Sequence, residues 1–227
     1  MSAAAAAQPR SGQDPYKLGR SRHSGDGKPP EPAGHGEGGP ASKRIITAYG
    51  FWIFLLSDII MFSAFFAAYG VLAKASAGGP TGAQLFEAKR VAIETALLLL
   101  SSFTCGLSAV ATEARSRLWT QVGLLATGLL GFAFVVLEVS EFVGLVARGA
   151  GPSRSAFLSA FYALVGCHGL HVSVGLLWLG TMMAQLWVKG FRPDILRRLA
   201  CFNLFWHALD IIWVGVFTIV YLMGMGK

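Results

Sequence analysis

Five long apolar runs, separated by short polar breaks, constrain this chain more than any other feature. They cover about residues 45–73, 91–112, 118–147, 155–188 and 200–223. A transmembrane α-helix needs about 20 consecutive apolar residues, and each run supplies them. The nine prolines all fall outside the runs, so unbroken helices are expected. The sequence therefore predicts an all-α membrane protein in which five transmembrane helices form a bundle.

The composition excludes an ordinary soluble domain, since 54% of the residues are hydrophobic and only 14% are charged. A net charge of +7 would suggest nucleic acid in a soluble protein. Here the basic residues gather in the N-terminal tail and in the breaks, which indicates membrane topology and not a nucleic-acid partner. Cys105, Cys167 and Cys201 stand singly in apolar runs and are expected to be core thiols.

The N-terminal tail, residues 1–43, is predicted to be disordered and cytoplasmic. It holds six prolines among many Gly, Ser and Ala residues, so it cannot bury enough apolar surface to offset the entropy of ordering. With the N-terminus inside, 13 of the 19 Lys and Arg residues fall in cytoplasmic segments. This positive-inside bias predicts an N-terminus inside and a C-terminus outside.

Eight ionisable side chains fall inside the predicted helices, where each must face the bundle interior, a polar cavity or a partner. They are Asp58, Glu94, Glu138, Glu141, His168, His171, His207 and Asp210. The last six form three pairs spaced i, i+3, so both members of a pair share one helix face. Hydrogen bonds from imidazole to carboxylate between helices are expected to satisfy most of them, giving a buried polar seam that fixes helix packing.

Three sharper roles compete with the seam. A di-metal carboxylate site uses Glu-x-x-His twice, whereas this chain has Glu-x-x-Glu and His-x-x-His, so no metal site is predicted. A proton relay or small five-helix carrier built on Asp58, Glu138 and His168 stays open, although no helix is interrupted by proline and no internal repeat is visible. A redox centre would need more axial ligands than these helices offer.

Four ordered motifs resemble subunit III of the haem–copper terminal oxidases. They are GFWIFLLSDIIMFSAFFAAY at 50–69, EVSEF at 138–142, GCHGLHV at 166–172 and FWHALDIIW at 205–213. Segments 77–82, 151–161 and 216–224 further resemble the bo-type ubiquinol oxidase branch. Asp58 also fits that branch, because many cytochrome c oxidase relatives have Glu at the matching position. Subunit III of a cytochrome c oxidase remains the alternative within the family.

The resemblance implies a subunit with no catalytic residue and no cofactor of its own, within a complex that oxidises ubiquinol, reduces oxygen to water and pumps protons. Haems and copper are implied in a partner, subunit I, with subunits II and IV as further partners. The resemblance also implies bound phospholipid and a multi-pass location in the bacterial inner membrane. The eight membrane residues match the family's polar positions and are carried over as polar-seam and lipid-cleft residues.

Overall fold

The computed structural model describes residues 43–75 and 87–225, and within them every regular element is helical. The helices are α1 (Lys43–Leu72), α2 (Ala88–Glu113), α3 (Arg117–Ala147), α4 (Ala156–Lys189) and α5 (Pro193–Val216). A π-helical segment, Phe217–Leu222, and a last helical turn, Met223–Met225, continue α5. The disordered tail expected at 1–43 falls almost wholly outside the described residues.

All five helices are long and apolar enough to cross a membrane, as the sequence predicts. Helices α4 and α5 occupy the middle of the bundle, since 44% of the most apolar stretch of each is buried. Helix α1 lies at the edge, with only 11% of its stretch buried, and it packs on α4 and α5. Helix α2 packs on α3 and α5, so the centre of the bundle lies between α2, α3, α4 and α5.

The last helix begins at Pro193, well before the start near residue 200 predicted from hydropathy. Proline suits the first turn of a helix because its N–H would have no helical partner there and its φ angle is already helical. Asp194 follows in the first turn, where an acidic side chain is favoured by the helix dipole. The polar stretch that hydropathy assigns to a loop is therefore the first two turns of α5.

The π-helical segment changes the direction in which side chains point at the end of α5. A π turn is wider than an α turn and shifts the side chains that follow it to another face. Tyr221 in this segment is fully buried and donates a hydrogen bond to a carboxylate of α3, over 3.2 Å. The carbonyl of Val220 accepts a hydrogen bond from Tyr69 of α1, over 3.4 Å. The segment thus joins α1 and α3 at one end of the bundle.

Helices α2 and α3 approach most closely at Gly123. A Cβ atom placed there would lie 2.8 Å from the Cβ and 3.2 Å from the Cα of Ser108 on α2. Beside this contact the hydroxyls of Thr104 and Thr127 hydrogen-bond to each other over 2.9 Å. Small residues permit this approach, and interhelical hydrogen bonds add to packing in the membrane.

We predict that Gly123→Ala loosens the α2–α3 pair, because the added methyl meets the backbone of Ser108 and neither helix can yield alone. Overpacking of this kind costs about 1–3 kcal/mol. The denaturation temperature of the purified protein in detergent should fall. Gly106→Ala on α2 is the matched control, since a Cβ there meets nothing within 4 Å. Equal stability of both variants would contradict the close contact.

Candidate functional site

The eight residues singled out in the sequence occupy three places in the bundle. Glu94, Glu138 and Glu141 are buried between α2, α3 and the π-helical segment, and we call them the acid cluster. The other five lie along the α1–α4 contact and the α2–α5 contact. Of these five, only His168 is fully buried, while Asp58, His171, His207 and Asp210 are half-buried.

The acid cluster contains more carboxylate than cation. The Nε atom of Arg90 lies 3.6 Å from Oε1 of Glu94, an ion-pair distance too long for a hydrogen bond. The side chain of Glu94 is wholly buried, and neither of its carboxylate oxygens has a hydrogen-bond partner in the described residues. Glu141 is better placed, because its Oε2 atom accepts the hydrogen bond from Tyr221. Arg90 is the cation nearest to these carboxylates among the described residues.

Arg90 connects the acid cluster to α3. Its Nη2 atom donates to the carbonyl of Leu137 over 2.8 Å and to the hydroxyl of Ser140. The side chain is 30% exposed, whereas that of Glu94, one helical turn further on, is fully buried. Arg90 therefore reaches from the end of the bundle into its interior, with its Nε atom buried and its guanidinium partly accessible.

Glu138 is held by packing alone. It is 2% exposed, and neither of its carboxylate oxygens has a hydrogen-bond partner among the described residues. Its carboxylate lies directly against the α carbon of Gly169 on α4, so that a Cβ at Gly169 would overlap both oxygens. The glycine in the GCHGLHV motif thus makes the space that the EVSEF motif fills.

His168 lies in an aromatic enclosure. Its ring centroid is 5.2 Å from that of Trp213, 5.9 Å from that of Phe134 and 6.3 Å from that of Phe62. The residue is 0% exposed, and neither ring nitrogen has a hydrogen-bond partner in the part of the chain that is described. Tilted stacking on Trp213 and edge contacts with the phenylalanines are the favourable geometries for such rings.

His171 faces α1 from the same helix. Its Nδ1 atom donates to the carbonyl of Cys167 over 2.7 Å, which leaves Nε2 for other contacts. The imidazole ring lies 5.3 Å from that of Phe62 on α1. Asp58, one turn before Phe62, is near enough to Cys167 to interact with it electrostatically. Asp58 and His171 therefore border the same half-buried α1–α4 groove.

A row of side-chain hydrogen bonds joins α2 to α5, and we call it the α2–α5 ladder. Trp206 donates from Nε1 to the Ser101 hydroxyl over 2.8 Å, and His207 Nδ1 pairs with the Ser102 hydroxyl over 2.6 Å. Its two outer members are Thr95–Trp213 at 3.1 Å and Cys105–Asn203 at 3.2 Å. The first of the α2 residues, Thr95, contacts the last of the α5 residues, Trp213, and the last of the α2 residues, Cys105, contacts the first of the α5 residues, Asn203. One antiparallel register therefore generates all four contacts.

The imidazole–carboxylate pairs expected from the spacing do not form within hydrogen-bond distance among the described residues. His207 pairs through Nδ1 with the Ser102 hydroxyl, and Asp210 Oδ1 has no hydrogen-bond partner among the described residues. Glu138 and His168 are both buried with unpartnered polar atoms. The physical reason is helix register: α5 presents its polar side chains to the hydroxyls of α2, and the acids of α3 point to α2 and Gly169.

Sequence reasoning missed the groups that make most of these contacts. The ladder depends on hydroxyls of α2 and on tryptophan N–H groups of α5, and the acid cluster depends on Arg90, Tyr221 and Gly169. A usable signal was present for the ladder, because buried tryptophan needs an acceptor and α2 is rich in Ser and Thr. The position of Tyr221 had no such signal, since the π-helical segment sets it.

A cavity of about 720 Å³ opens at the end of the bundle where α1 and α5 begin and α2 ends. Apolar residues of α5 form much of its wall, and Thr47, Thr112, Arg115 and Arg197 are among its polar lining. Arg115 donates to the carbonyl of Phe191 over 3.3 Å and lies over that ring. The cavity thus combines an apolar wall with a charged lining, in which Glu113 lies alongside the arginines and Arg197 forms an ion pair with Asp194.

In the described part of the chain, no three His, Cys, Asp or Glu residues are arranged to hold a metal ion. A haem would not fit beside His168, because three aromatic rings fill the space around its imidazole. His171 and His207 each engage Nδ1 within the bundle. What the arrangement supports is helix packing and the burial of unmatched charge.

Comparisons with a family model and with known proteins all point to subunit III of an oxidase. The model of cytochrome c oxidase subunit III matches residues 33–225. The chain is 50% identical to cytochrome bo(3) ubiquinol oxidase subunit 3 of Pseudomonas aeruginosa over 78% of this chain and 85% of the relative. The protein of the same name from Pseudomonas putida is 46% identical, over 79% and 87%. Quinol oxidase subunit 3 of Bacillus subtilis is 44% identical, over 78% and 87%.

We predict that Gly169→Ala destabilises the bundle, because the methyl group displaces the Glu138 carboxylate from a site that offers it no other position. The expected cost is about 1–3 kcal/mol, as for other overpacked cores. Thermal denaturation of the detergent-solubilised protein measures it. Gly180→Ala on the same helix has open space around the new methyl and should behave as wild type. Full rescue of Gly169→Ala by Glu138→Ala would confirm that these two groups compete for the space.

Proposed function

This chain belongs to the cytochrome c oxidase subunit III family, and we propose that it supports the redox-active subunit of a proton-pumping ubiquinol oxidase that reduces oxygen to water. Relatives with 44–50% identity that carry the name quinol oxidase subunit 3 favour a quinol oxidase over a cytochrome c oxidase or a free-standing carrier. It is a multi-pass protein of the bacterial inner membrane, with five apolar helices. The observation that carries the supporting role is that its buried ionisable groups contact one another and their own bundle.

The haems and the copper of the complex are assigned to subunit I. Haem and copper would supply oxygen reduction there, while this chain contributes a scaffold. In support, the described membrane histidines are either enclosed by aromatic rings, as is His168, or bonded through Nδ1 within the bundle. We propose subunit I as the main partner, with subunits II and IV as further contacts. Helix α1 is the natural contact element, because most of it is unburied in the isolated chain.

The N-terminus is proposed to lie in the cytoplasm and the C-terminus outside, with residues 1–43 as a disordered cytoplasmic tail. Basic residues favour the end of the bundle where α1 begins. At this end Arg115 and Arg192 lie between helices, Lys189 is the last residue of α4, and Arg198 lies in the second turn of α5. Basic residues are retained on the cytoplasmic side during insertion, which supports this orientation.

Bound phospholipid is proposed for the cavity at the cytoplasmic end. A phospholipid needs an apolar wall for its chains and a cation for its phosphate, and Arg115 in the lining supplies the cation. The acid cluster and the α2–α5 ladder are proposed to act as the polar seam that fixes helix packing. Asp58 and His171 are proposed to line the α1–α4 groove where lipid or a partner helix lies.

We predict that affinity purification of the tagged chain from native membranes yields a complex with quinol-dependent oxygen uptake, because this chain binds subunit I. Subunit I should be recognised as a partner with several intramembrane histidines. Reduced cytochrome c should support no comparable uptake by the same preparation. Recovery of the chain without such a partner, or uptake driven by cytochrome c alone, would contradict the proposal.

A further inference from the structure

The acid cluster has more buried polar atoms than its surroundings satisfy. Among the described residues, neither carboxylate oxygen of Glu94 or of Glu138 has a hydrogen-bond partner, and the buried Nε atom of Arg90 has none either. The two glutamates are 0% and 2% exposed. Buried donors and acceptors are almost always satisfied, and where protein groups do not satisfy them, internal water or an ion usually does.

The charge balance of the cluster is also incomplete. Glu94, Glu138 and Glu141 interact electrostatically with one another, so three acidic groups share one interior. The groups facing them from the surrounding elements are Glu87 and Arg90 of the α2 end, Arg148 after α3, Tyr162 of α4 and Tyr221 of the π-helical segment. Among the cations in the described part of the chain, Arg90 alone forms an ion pair with a member of the cluster. Fully ionised carboxylates would leave an uncompensated negative charge in a low-dielectric interior, which is costly.

Arg90 also provides a connection to the membrane surface. Its side chain is partly exposed and its guanidinium contacts Ser140, which is exposed on α3. The neighbouring Lys89 is exposed at the start of α2. A polar path therefore runs from the end of the bundle, along Arg90, to the carboxylate of Glu94.

We propose that the acid cluster is a proton-binding site, in which the carboxyl groups of Glu94, Glu138 and Glu141 share protons directly or through internal water. Each proton comes from the aqueous phase at this end of the bundle and binds one carboxylate oxygen. The O–H group so formed donates to a neighbouring carboxylate or water, and no other bond changes. Tyr221 fixes the position of Glu141, and Gly169 leaves room for Glu138.

The site is built from this chain alone. Its members lie on α2, α3 and the π-helical segment and are buried without any partner subunit. The proposal therefore does not depend on which oxidase the chain joins, and a failed purification of quinol oxidase activity would leave it standing.

Infrared spectroscopy of the purified complex tests the proposal, because a protonated carboxylic acid has a carbonyl stretch that a carboxylate lacks and that shifts in D2O. We expect Glu138→Gln to lose intensity equal to one carboxylic acid from this band. Glu113→Gln is the matched control, since Glu113 is an exposed acid at the opposite end of α2, and it should keep the full intensity. If Glu138→Gln fails to assemble, Glu94→Gln should show the same loss of one carboxylic acid's intensity.

The Arg90→Gln variant should change the carboxylic acid band in the opposite direction to Glu138→Gln. Removing Arg90 takes away the cation that forms an ion pair with the cluster, so a further proton should bind and the carboxylic acid band should grow. Unchanged bands in Glu138→Gln, Glu94→Gln and Arg90→Gln would overturn the proposal. Loss of the wild-type band when sodium replaces a bulky organic cation in the buffer would also overturn it, because the cluster would then bind a metal cation.

Discussion

The α2–α5 ladder is the interaction on which the rest of this bundle depends. Tryptophan and histidine N–H groups of α5 need acceptors at membrane depth, and the hydroxyls of α2 supply them. Because four contacts share one antiparallel register, sliding α5 by a single residue would break them together. The ladder thereby fixes where the π-helical segment begins and brings Tyr221 to Glu141. The hydrogen bonds are individually modest in membranes, about 0.6 kcal/mol each on average, so their value lies in setting register.

A second set of buried polar groups lies beside the ladder, and unlike the ladder it has no hydrogen-bond partners among the described residues. Glu138 lies against a glycine instead of a hydrogen-bond partner, and His168 lies among aromatic rings. Satisfied hydrogen bonds hold α2 to α5, whereas unmatched carboxylates lie between α2 and α3 and against α4. This division explains how a chain can carry eight ionisable residues in its apolar runs and still offer no cofactor a ligand set in its described part. The polar residues serve the bundle, and the outer surface of α1 is left for other molecules.

The five helices could be predicted because a helix that crosses a membrane needs about 20 consecutive apolar residues. Such long apolar runs are easy to recognise in a sequence. The i, i+3 spacing also predicted that Glu138 and Glu141 share a face, and both are buried in one cluster. The pairing of acids with imidazoles was wrong, because periodicity gives the face of a helix and not the neighbour that it meets. Hydropathy also missed the first turns of α5, which are polar and start at Pro193. The family resemblance was confirmed by the family match, whereas the lipid and partner roles stay predictions.

We propose that this chain supports a redox enzyme without containing a redox centre. The most direct measurement is to release the chain from the purified complex with mild detergent and to determine haem and copper in both fractions. We predict that the released chain carries neither group, while the remaining complex keeps its full haem and copper content. Haem absorbance or stoichiometric copper in the released chain would contradict it.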